Sequence, residues 1–195
     1  MERIGLVGVG LMGHGIAKNL VSKGWRLNYL LHPGNQPTDD IDSFGAVGWS
    51  SLTEMAGACD VIILCVTGSP QVEDVLVGSG QLLEALGPGH IVIDCSTAVP
   101  SSTIALAAKV EAKGAKFVDS PMTRTPKEAE EGRLNLLVGG DAGIVERLRP
   151  IFSSFAENVF YAGGISSGHQ LKLLHNFVSL GTVTLITEAV ACAAR

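Results

Sequence analysis

Short apolar runs alternate with amphipathic segments along most of the chain. The first run, residues 4–7, is typical of a buried strand, and Met12, Ile16 and Leu20 then recur every four residues, the spacing of one helix face. This alternation predicts an α/β fold, with a mainly parallel sheet covered by helices on both faces. Further strands are predicted at residues 27–31, 61–66, 91–94, 116–119, 134–138 and 159–161.

Proline and glycine positions predict where the helices begin and end. Pro70 and Pro100 each stand beside a serine, and proline is tolerated in the first turn of a helix. Gly24 and Gly114 each follow a lysine and are typical helix ends. Residues 33–42 contain Pro, Gly, Asn and Asp, and are predicted to form an exposed loop.

Three glycines join the first predicted strand to the first predicted helix. Gly8, Gly10 and Gly13 form the pattern G-x-G-x-x-G. The first glycine permits a tight turn, the second lets a pyrophosphate approach the backbone, and the third lets helix and strand pack closely. The pattern alone is weak evidence, but between a strand and a helix it favours a dinucleotide seated at the helix N-terminus.

The end of the second predicted strand is where such folds distinguish NAD from NADP. Residues 31–34, Leu-His-Pro-Gly, offer neither an acid for the ribose of NAD nor an arginine for the phosphate of NADP. No Lys or Arg occurs from residue 27 to residue 108, so a phosphate there would lack a strong cation. We expect NAD, with NADP as the alternative. His32 is then either a weak partner of that phosphate or a solvated loop histidine.

Composition and charge exclude several classes of protein. The net charge of −5, with no basic cluster, argues against a nucleic-acid partner. No uninterrupted apolar run reaches the roughly 18 to 20 residues of a membrane span, and the first residues do not resemble a secretory signal. We therefore expect a cytoplasmic protein without a membrane partner. The scattered cysteines predict reduced thiols and no metal site; they are Cys59, Cys65, Cys95 and Cys192.

A polar stripe is predicted on the last helix. Lys172, His175, Asn176 and Ser179 have the spacing i, i+3, i+4 and i+7, which places them on one face of an otherwise apolar helix. Such a stripe suggests the wall of a cleft, where desolvation would lower the pKa of Lys172 and allow its amine to exchange a proton with a substrate hydroxyl. The alternative is a solvated face from which the lysine extends its charge to water.

These motifs resemble the β-hydroxyacid dehydrogenase family over residues 3–195. The resemblance implies a Rossmann-type doubly wound sheet, followed by a long helix that begins an all-helical second domain, most of which this chain lacks. Residues 1–165 would form the dinucleotide-binding domain, and residues 166–195 the start of the long interdomain helix. Because the apolar side of that helix needs a covering partner, we expect a homo-oligomer formed through it.

The same resemblance assigns roles to individual residues. It implies that Lys172 is the catalytic lysine and that Asn176, one turn later, is its partner. His175 completes the form Lys-Leu-Leu-His-Asn, which is closest to 6-phosphogluconate dehydrogenase, and is assigned to substrate binding. The implied cofactor contacts comprise the glycine turn with Leu11 and Met12, and then Val66, Thr67 and Thr97.

The predicted substrate loop departs from the family pattern. Most members carry Ser-Gly-Gly where this chain has Thr123, Arg124 and Thr125. A guanidinium beside two hydroxyls would bind a small anionic substrate, a carboxylate or a sulfonate, and a similar loop occurs in sulfolactaldehyde reductases. Ser96, at the end of another predicted strand, joins this set. In the alternative, Arg124 pairs with Glu128 or Glu130 and does not meet substrate.

We therefore expect an NAD(P)-dependent dehydrogenase of a small β-hydroxyacid or hydroxysulfonate, working as a reductase of the matching semialdehyde. Two alternatives stay open. One is oxidative decarboxylation of the 6-phosphogluconate type, and the other is a non-catalytic dinucleotide-binding module.

Overall fold

The computed structural model describes residues 2–194. Within that range, nine strands belong to one sheet. They are β1 (Arg3–Val7), β2 (Arg26–Leu30), β3 (Val47–Trp49), β4 (Val61–Leu64), β5 (Ile91–Asp94), β6 (Lys116–Asp119), β7 (Met122–Thr123), β8 (Leu134–Gly139) and β9 (Ala156–Gly163). Their order is β3-β2-β1-β4-β5-β6-β8-β7, with β9 paired to β8.

The sheet is mainly parallel, as predicted. Parallel pairing runs from β3 to β6 and joins β8 to β9, whereas β8 is antiparallel to β6 and β7. The helices are α1 (Leu11–Ser22), α2 (Asp39–Ser43), α3 (Leu52–Gly57), α4 (Ser69–Val77), α5 (Leu82–Ala85), α6 (Pro100–Ala112), α7 (Pro126–Glu130), α8 (Ala142–Phe155) and α9 (Ser167–Ala193).

Two apolar clusters cover the two faces of the sheet. Along β4, Ile63 belongs to the cluster that contains Phe152 of α8, whereas Ile62 belongs to the cluster that contains Met55 of α3. Successive strand residues point to opposite faces, so a strand that is apolar throughout must be covered on both sides. The doubly wound Rossmann-type fold is confirmed, and it brings the carboxyl ends of β1, β4 and β5 to one edge.

Some predicted boundaries were wrong. The loop predicted at residues 33–42 contains the start of α2, because aspartates favour the first turn of a helix and Ile41 is fully buried beneath it. The sequence patterns also did not predict β3 and β7, which have only three and two residues. The strand predicted at residues 61–66 ends at Leu64, and the next residues form a loop.

Only the first turn of α9 is buried. Gly168 and His169 are its buried residues, whereas apolar side chains farther along are exposed, with Phe177 exposed to 79%. The 27-residue helix contains an 18-residue window of mean hydropathy 1.4, so by length and composition alone it passes the test for a membrane span. One such helix is weak evidence for a membrane, since helices of soluble proteins pass the same test. The expectation of no membrane partner stays a prediction.

Candidate active site

A cleft of about 1140 Å³ lies at the carboxyl ends of the parallel strands, the edge at which open α/β sheets bind ligands. It is lined by most of the residues that the sequence singled out: Gly8, Gly10, Leu11, Met12, Gly13, His32, Val66, Thr67, Ser96, Thr97, Arg124 and Lys172. The other predicted residues do not line it: Thr123, Thr125, His175 and Asn176.

The glycine turn has the geometry of a phosphate cradle. Gly8 has a φ of +97°, and a Cβ there would lie 2.3 Å from the carbonyl oxygen of Cys65. A Cβ on Gly13 would lie 1.9 Å from the carbonyl oxygen of Gly8, whereas one on Gly10 would meet no protein atom within 4 Å. Gly10 also leaves the N-terminus of α1 without a side-chain cap. The first-turn amides of α1 therefore remain available to an anion, and the residues present fit a dinucleotide pyrophosphate.

The far end of the cleft contains small polar side chains. His32 is exposed there, and its Nδ1 accepts a hydrogen bond of 3.0 Å from the amide of Gly34. Ser50, Ser51 and Thr53, which follow β3, also line the cleft. Sequence reasoning missed these three because it missed β3. Among the described lining residues, Arg124 and Lys172 are the only lysine or arginine side chains.

Lys172 brings an amine to the cleft from the second turn of α9. Its side chain is half-buried, and burial lowers its pKa. Asn176 and Ser179 are half-buried as well, whereas their neighbours on either side are exposed, so these three share the less exposed face of the helix. His175 is exposed, and its Nδ1 lies 3.4 Å from Oδ1 of Asn176. The predicted stripe is therefore shared by Lys172, Asn176 and Ser179 without His175.

The two threonines of the predicted substrate loop are engaged inside the protein. Thr123 is buried, and its Oγ1 accepts a hydrogen bond of 3.1 Å from Nδ2 of Asn135. Thr125 forms a capping box with Glu128 at the start of α7. Each hydroxyl is engaged by a group other than Arg124, and neither threonine lines the cleft, so the expected receptor of one guanidinium and two hydroxyls is not assembled in this structure.

Arg124 lines the cleft while bound to other protein groups. Its Nη1 donates to the carboxylate of Glu157 and to the carbonyl of Arg133. The alternative prediction that Arg124 pairs with Glu128 or Glu130 was wrong in its choice of partner, because the carboxylate that binds Arg124 is that of Glu157, the second residue of β9. The φ of Arg124 is +81°, a left-handed conformation that favours glycine. Arg124 is therefore held in a backbone conformation that the glycine expected at this position would adopt without strain.

A buried polar network beneath the cleft contains Ser96, which the sequence analysis assigned to the substrate, and further residues that it did not single out. Ser96 is buried, and its Oγ accepts a hydrogen bond of 3.1 Å from the amide of Val66, so this hydroxyl supports the cleft wall. Asp119 accepts hydrogen bonds from the amides of Ser166 (2.7 Å) and His169 (2.9 Å), which caps α9. Buried aspartates at the ends of two predicted strands, Asp94 and Asp119, were the signal available in the sequence.

Asp94 carries an uncompensated oxygen in this network. Its Oδ1 accepts a hydrogen bond of 2.9 Å from the amide of Ser96, whereas its Oδ2 has no hydrogen-bond partner among the described residues. Burial raises the pKa of Asp94 to about 6.

In the part of the chain that the structure describes, the cysteines and the metal-binding side chains form no further site. Burial raises the pKa of the Cys65 thiol to about 12, and all four cysteines are free. Among residues 2–194, no cluster of three or more His, Cys, Asp or Glu side chains is placed to hold a metal ion.

Comparison with known families agrees with this geometry. The profile described as the NAD binding domain of 6-phosphogluconate dehydrogenase matches residues 3–163. The chain belongs to the β-hydroxyacid dehydrogenase family. Its matched region is the family's NAD-binding domain, which contains the glycine turn and all the residues lining the cleft except Lys172.

Several members of the family are similar to nearly the whole chain. It is 30% identical to 2-hydroxy-3-oxopropionate reductase of Escherichia coli, with 99% of this chain and 65% of that protein covered. It is 34% identical to 3-sulfolactaldehyde reductase of Escherichia coli, with 97% and 63% covered. The structure of Mycobacterium tuberculosis 3-hydroxyisobutyrate dehydrogenase with L-serine has a TM-score of 0.89 at 26% identity, with 100% of this chain and 65% of that one covered. The chain thus spans slightly less than two thirds of these relatives' length.

Proposed function

We propose that this β-hydroxyacid dehydrogenase domain binds NAD in the cleft and serves hydride transfer between nicotinamide and a small β-hydroxyacid or hydroxysulfonate, in the direction of semialdehyde reduction. One observation carries the proposal. The half-buried amine of Lys172 lines the same cleft as the glycine turn, although the two are more than 150 residues apart in the chain. A lysine on a solvated face of the helix would not line this cleft.

Lys172 is proposed to move the proton of the reaction. When bound, the nicotinamide supplies the hydride to the aldehyde carbon or accepts it from the alcohol carbon. In reduction, the ammonium of Lys172 donates its proton to the carbonyl oxygen; in oxidation, the neutral amine takes the hydroxyl proton. Burial lowers the pKa of this amine, which brings its two protonation states closer to neutral pH. Asn176 is one turn away on the same face, and we propose that it orients the amine or the substrate.

Arg124 is proposed to bind the anionic head of the substrate. It is the second arginine or lysine among the described residues of the cleft, and a guanidinium binds a carboxylate or sulfonate through paired hydrogen bonds. The similarity to 3-sulfolactaldehyde reductase supports a sulfonate as one candidate. Because Glu157 already binds Nη1 of the guanidinium, its carboxylate would compete with the substrate anion for this side chain. Thr123, Thr125 and His175 are engaged or exposed elsewhere, so we assign them no direct contact.

Two other functions are distinguishable from this one. Oxidative decarboxylation of the 6-phosphogluconate type is favoured by the matched profile and by the Lys-Leu-Leu-His-Asn motif, but His175 lies outside the cleft. A non-catalytic NAD-binding module is the second alternative, but it gives no reason for a desolvated amine at Lys172. A cytoplasmic location stays a prediction. Self-association through the exposed apolar side of α9 also stays a prediction, and the molar mass from light scattering after size-exclusion chromatography would test it.

The test is the absorbance at 340 nm of NADH or NADPH with methylmalonate semialdehyde, tartronate semialdehyde or sulfolactaldehyde. We expect oxidation of NADH with at least one aldehyde, and a loss of kcat of about a hundredfold or more in Lys172→Ala. Lys109→Ala is the matched control, because Lys109 is exposed on α6. Equal activity in Lys172→Ala and in the control would contradict the assignment. Binding of NADH without turnover of any of the three aldehydes would favour the non-catalytic module.

A further inference from the structure

The position of α9 depends on its first turn. In this 27-residue helix the buried residues are Gly168 and His169, and every residue after Ser179 that the structure describes is exposed. At Gly168 the backbone approaches β8 so closely that a Cβ would lie 2.2 Å from the carbonyl oxygen of Leu137. That contact fixes how near the helix lies to the sheet. Asp119 of β6 holds this turn by the amides of Ser166 and His169, and side-chain bonds made in the same turn further limit the rotation of the helix about its own axis.

His169 makes those bonds. Its Nε2 lies 3.1 Å from the carbonyl oxygen of Ser96, and its Nδ1 lies 2.8 Å from Oγ1 of Thr103. A carbonyl oxygen only accepts, so Nε2 carries the proton, and in the neutral ring Nδ1 accepts from the Thr103 hydroxyl. The carbonyl oxygen of Val99 is the other acceptor within reach of that hydroxyl, at the longer distance of 3.2 Å. The imidazole, fully buried, therefore connects α9 both to the cleft wall after β5 and to α6.

We propose that His169 is a positioning residue, which fixes the rotation of α9 and so holds the Lys172 amine in the cleft. The inference rests on the proposed role of Lys172. The two residues are three apart, less than one helical turn, so a small rotation of the first turn moves the amine with it. The acceptor of the His169 hydrogen bond also belongs to the cleft wall, since the carbonyl group of Ser96 directly precedes Thr97, which lines the cleft.

The charged groups that face the imidazole come from two strands. Oδ2 of Asp94, at the end of β5, lies 3.9 Å from Nε2, and Oδ2 of Asp119, at the end of β6, lies 3.9 Å from Nδ1. Thr103 of α6 is a neutral contact, and Lys172 is the nearest cation on α9 itself. Burial lowers the pKa of His169, which keeps the ring in the neutral form that its two hydrogen bonds require.

Thr103 offers a test that leaves His169 in place. In Thr103→Val the side chain keeps its shape but loses the hydroxyl that orients Nδ1. We expect kcat to fall about tenfold, because small displacements of a catalytic group are costly, while the Kd of NADH changes less than about twofold. His169→Gln should act in the same direction. Thr103→Ser restores the hydroxyl and should recover most of the loss, and Thr182→Val, on the exposed part of α9, is the matched control.

A second readout does not depend on turnover. The pH dependence of Lys172 acylation by a trace of acetic anhydride, followed by mass spectrometry of the 195-residue chain, reports the pKa of that amine. We expect this pKa to rise toward the ordinary lysine value in Thr103→Val and His169→Gln, since an amine that leaves the cleft regains water. If both variants lose thermal stability but keep the wild-type acylation profile, His169 is merely structural and the inference is overturned. If Lys172→Ala retains activity, the proposed function fails, yet the acylation profile still decides whether His169 positions the amine.

Discussion

The carboxylate of Glu157 binds the guanidinium of Arg124, the side chain that we assign to the substrate anion. The two residues are 33 positions apart, and the contact joins the substrate loop to β9. A protein carboxylate in this position competes with a carboxylate or sulfonate ligand. We therefore expect Glu157 to weaken the binding of the substrate anion that we propose for Arg124.

Glu157→Gln should strengthen the binding of the anionic substrate. Removing the charge frees the guanidinium, so we expect KM for the preferred anionic aldehyde to fall severalfold, whereas Arg124→Gly should raise it about tenfold to a hundredfold, the effect of a charge-assisted hydrogen bond. Steady-state kinetics at saturating NADH measure both. Glu146→Gln, in the surface pair of Glu146 with Arg149, is the matched control.

The binding of NADH separates a substrate role from a general one. KM for NADH should change little in Glu157→Gln and Arg124→Gly. If Arg124→Gly raised KM for NADH as much as KM for the aldehyde, Arg124 would not be a substrate residue.

Gly10→Ala should weaken NADH binding without unfolding the protein. The φ of −79° at Gly10 suits alanine, and a Cβ there meets no protein atom within 4 Å, but it would stand where a pyrophosphate approaches the backbone. We expect the Kd of NADH, measured by fluorescence titration, to rise at least about tenfold while Tm stays near the wild-type value. Gly57→Ala is the matched control, since its Cβ also meets no atom within 4 Å. Equal affinities in the two variants would remove the pyrophosphate from this turn.

The glycine turn and the buried strands were predictable because local patterns determine them. A run such as residues 61–64 can be buried on both faces only in a covered parallel sheet, and the glycine spacing specifies a turn within a few residues. The capping role of Thr125 was also readable, because Thr-x-x-Glu before a helix is a capping box. Pairing of Arg124 with Glu157, or of His169 with Ser96, depends instead on how distant segments fold together, and no local pattern specifies such a contact.

His32→Arg should increase affinity for NADPH. His32 follows β2 and lines the cleft together with Ser50, Ser51 and Thr53, which follow β3. Apart from Arg124 and Lys172, the described residues that line the cleft include no lysine or arginine. A guanidinium there would bind the 2′-phosphate of NADPH, so we expect the ratio of the NADPH and NADH dissociation constants to shift about tenfold toward NADPH. Ala108→Arg, on the exposed face of α6, adds the same charge outside the cleft and is the control. A shift of the same size in both variants would indicate a nonspecific effect of net charge.

Asp94→Asn should flatten the dependence of stability on pH between about pH 4 and pH 7. Burial raises the pKa of Asp94 to about 6 in the folded protein, above the 3.8 of an ordinary aspartate, so the folded state binds this proton more tightly than the unfolded chain does. The stability associated with that proton is fully present below pH 4 and is lost as the pH rises through 6. A shift of two pKa units corresponds to about 3 kcal/mol.

Urea unfolding at a series of pH values measures the effect of Asp94→Asn. As the pH rises from 4 to 7, the free energy of unfolding of Asp94→Asn should increase relative to that of the wild type, because the asparagine amide does not titrate. Asp60→Asn is the control: hydrogen bonds from Arg3 lower the pKa of Asp60 to about 2, so its contribution is lost only as the pH falls below 4. Parallel pH profiles of the wild type and Asp94→Asn across this range would mean that the buried carboxyl does not titrate there, and that its unpartnered oxygen is compensated in another way.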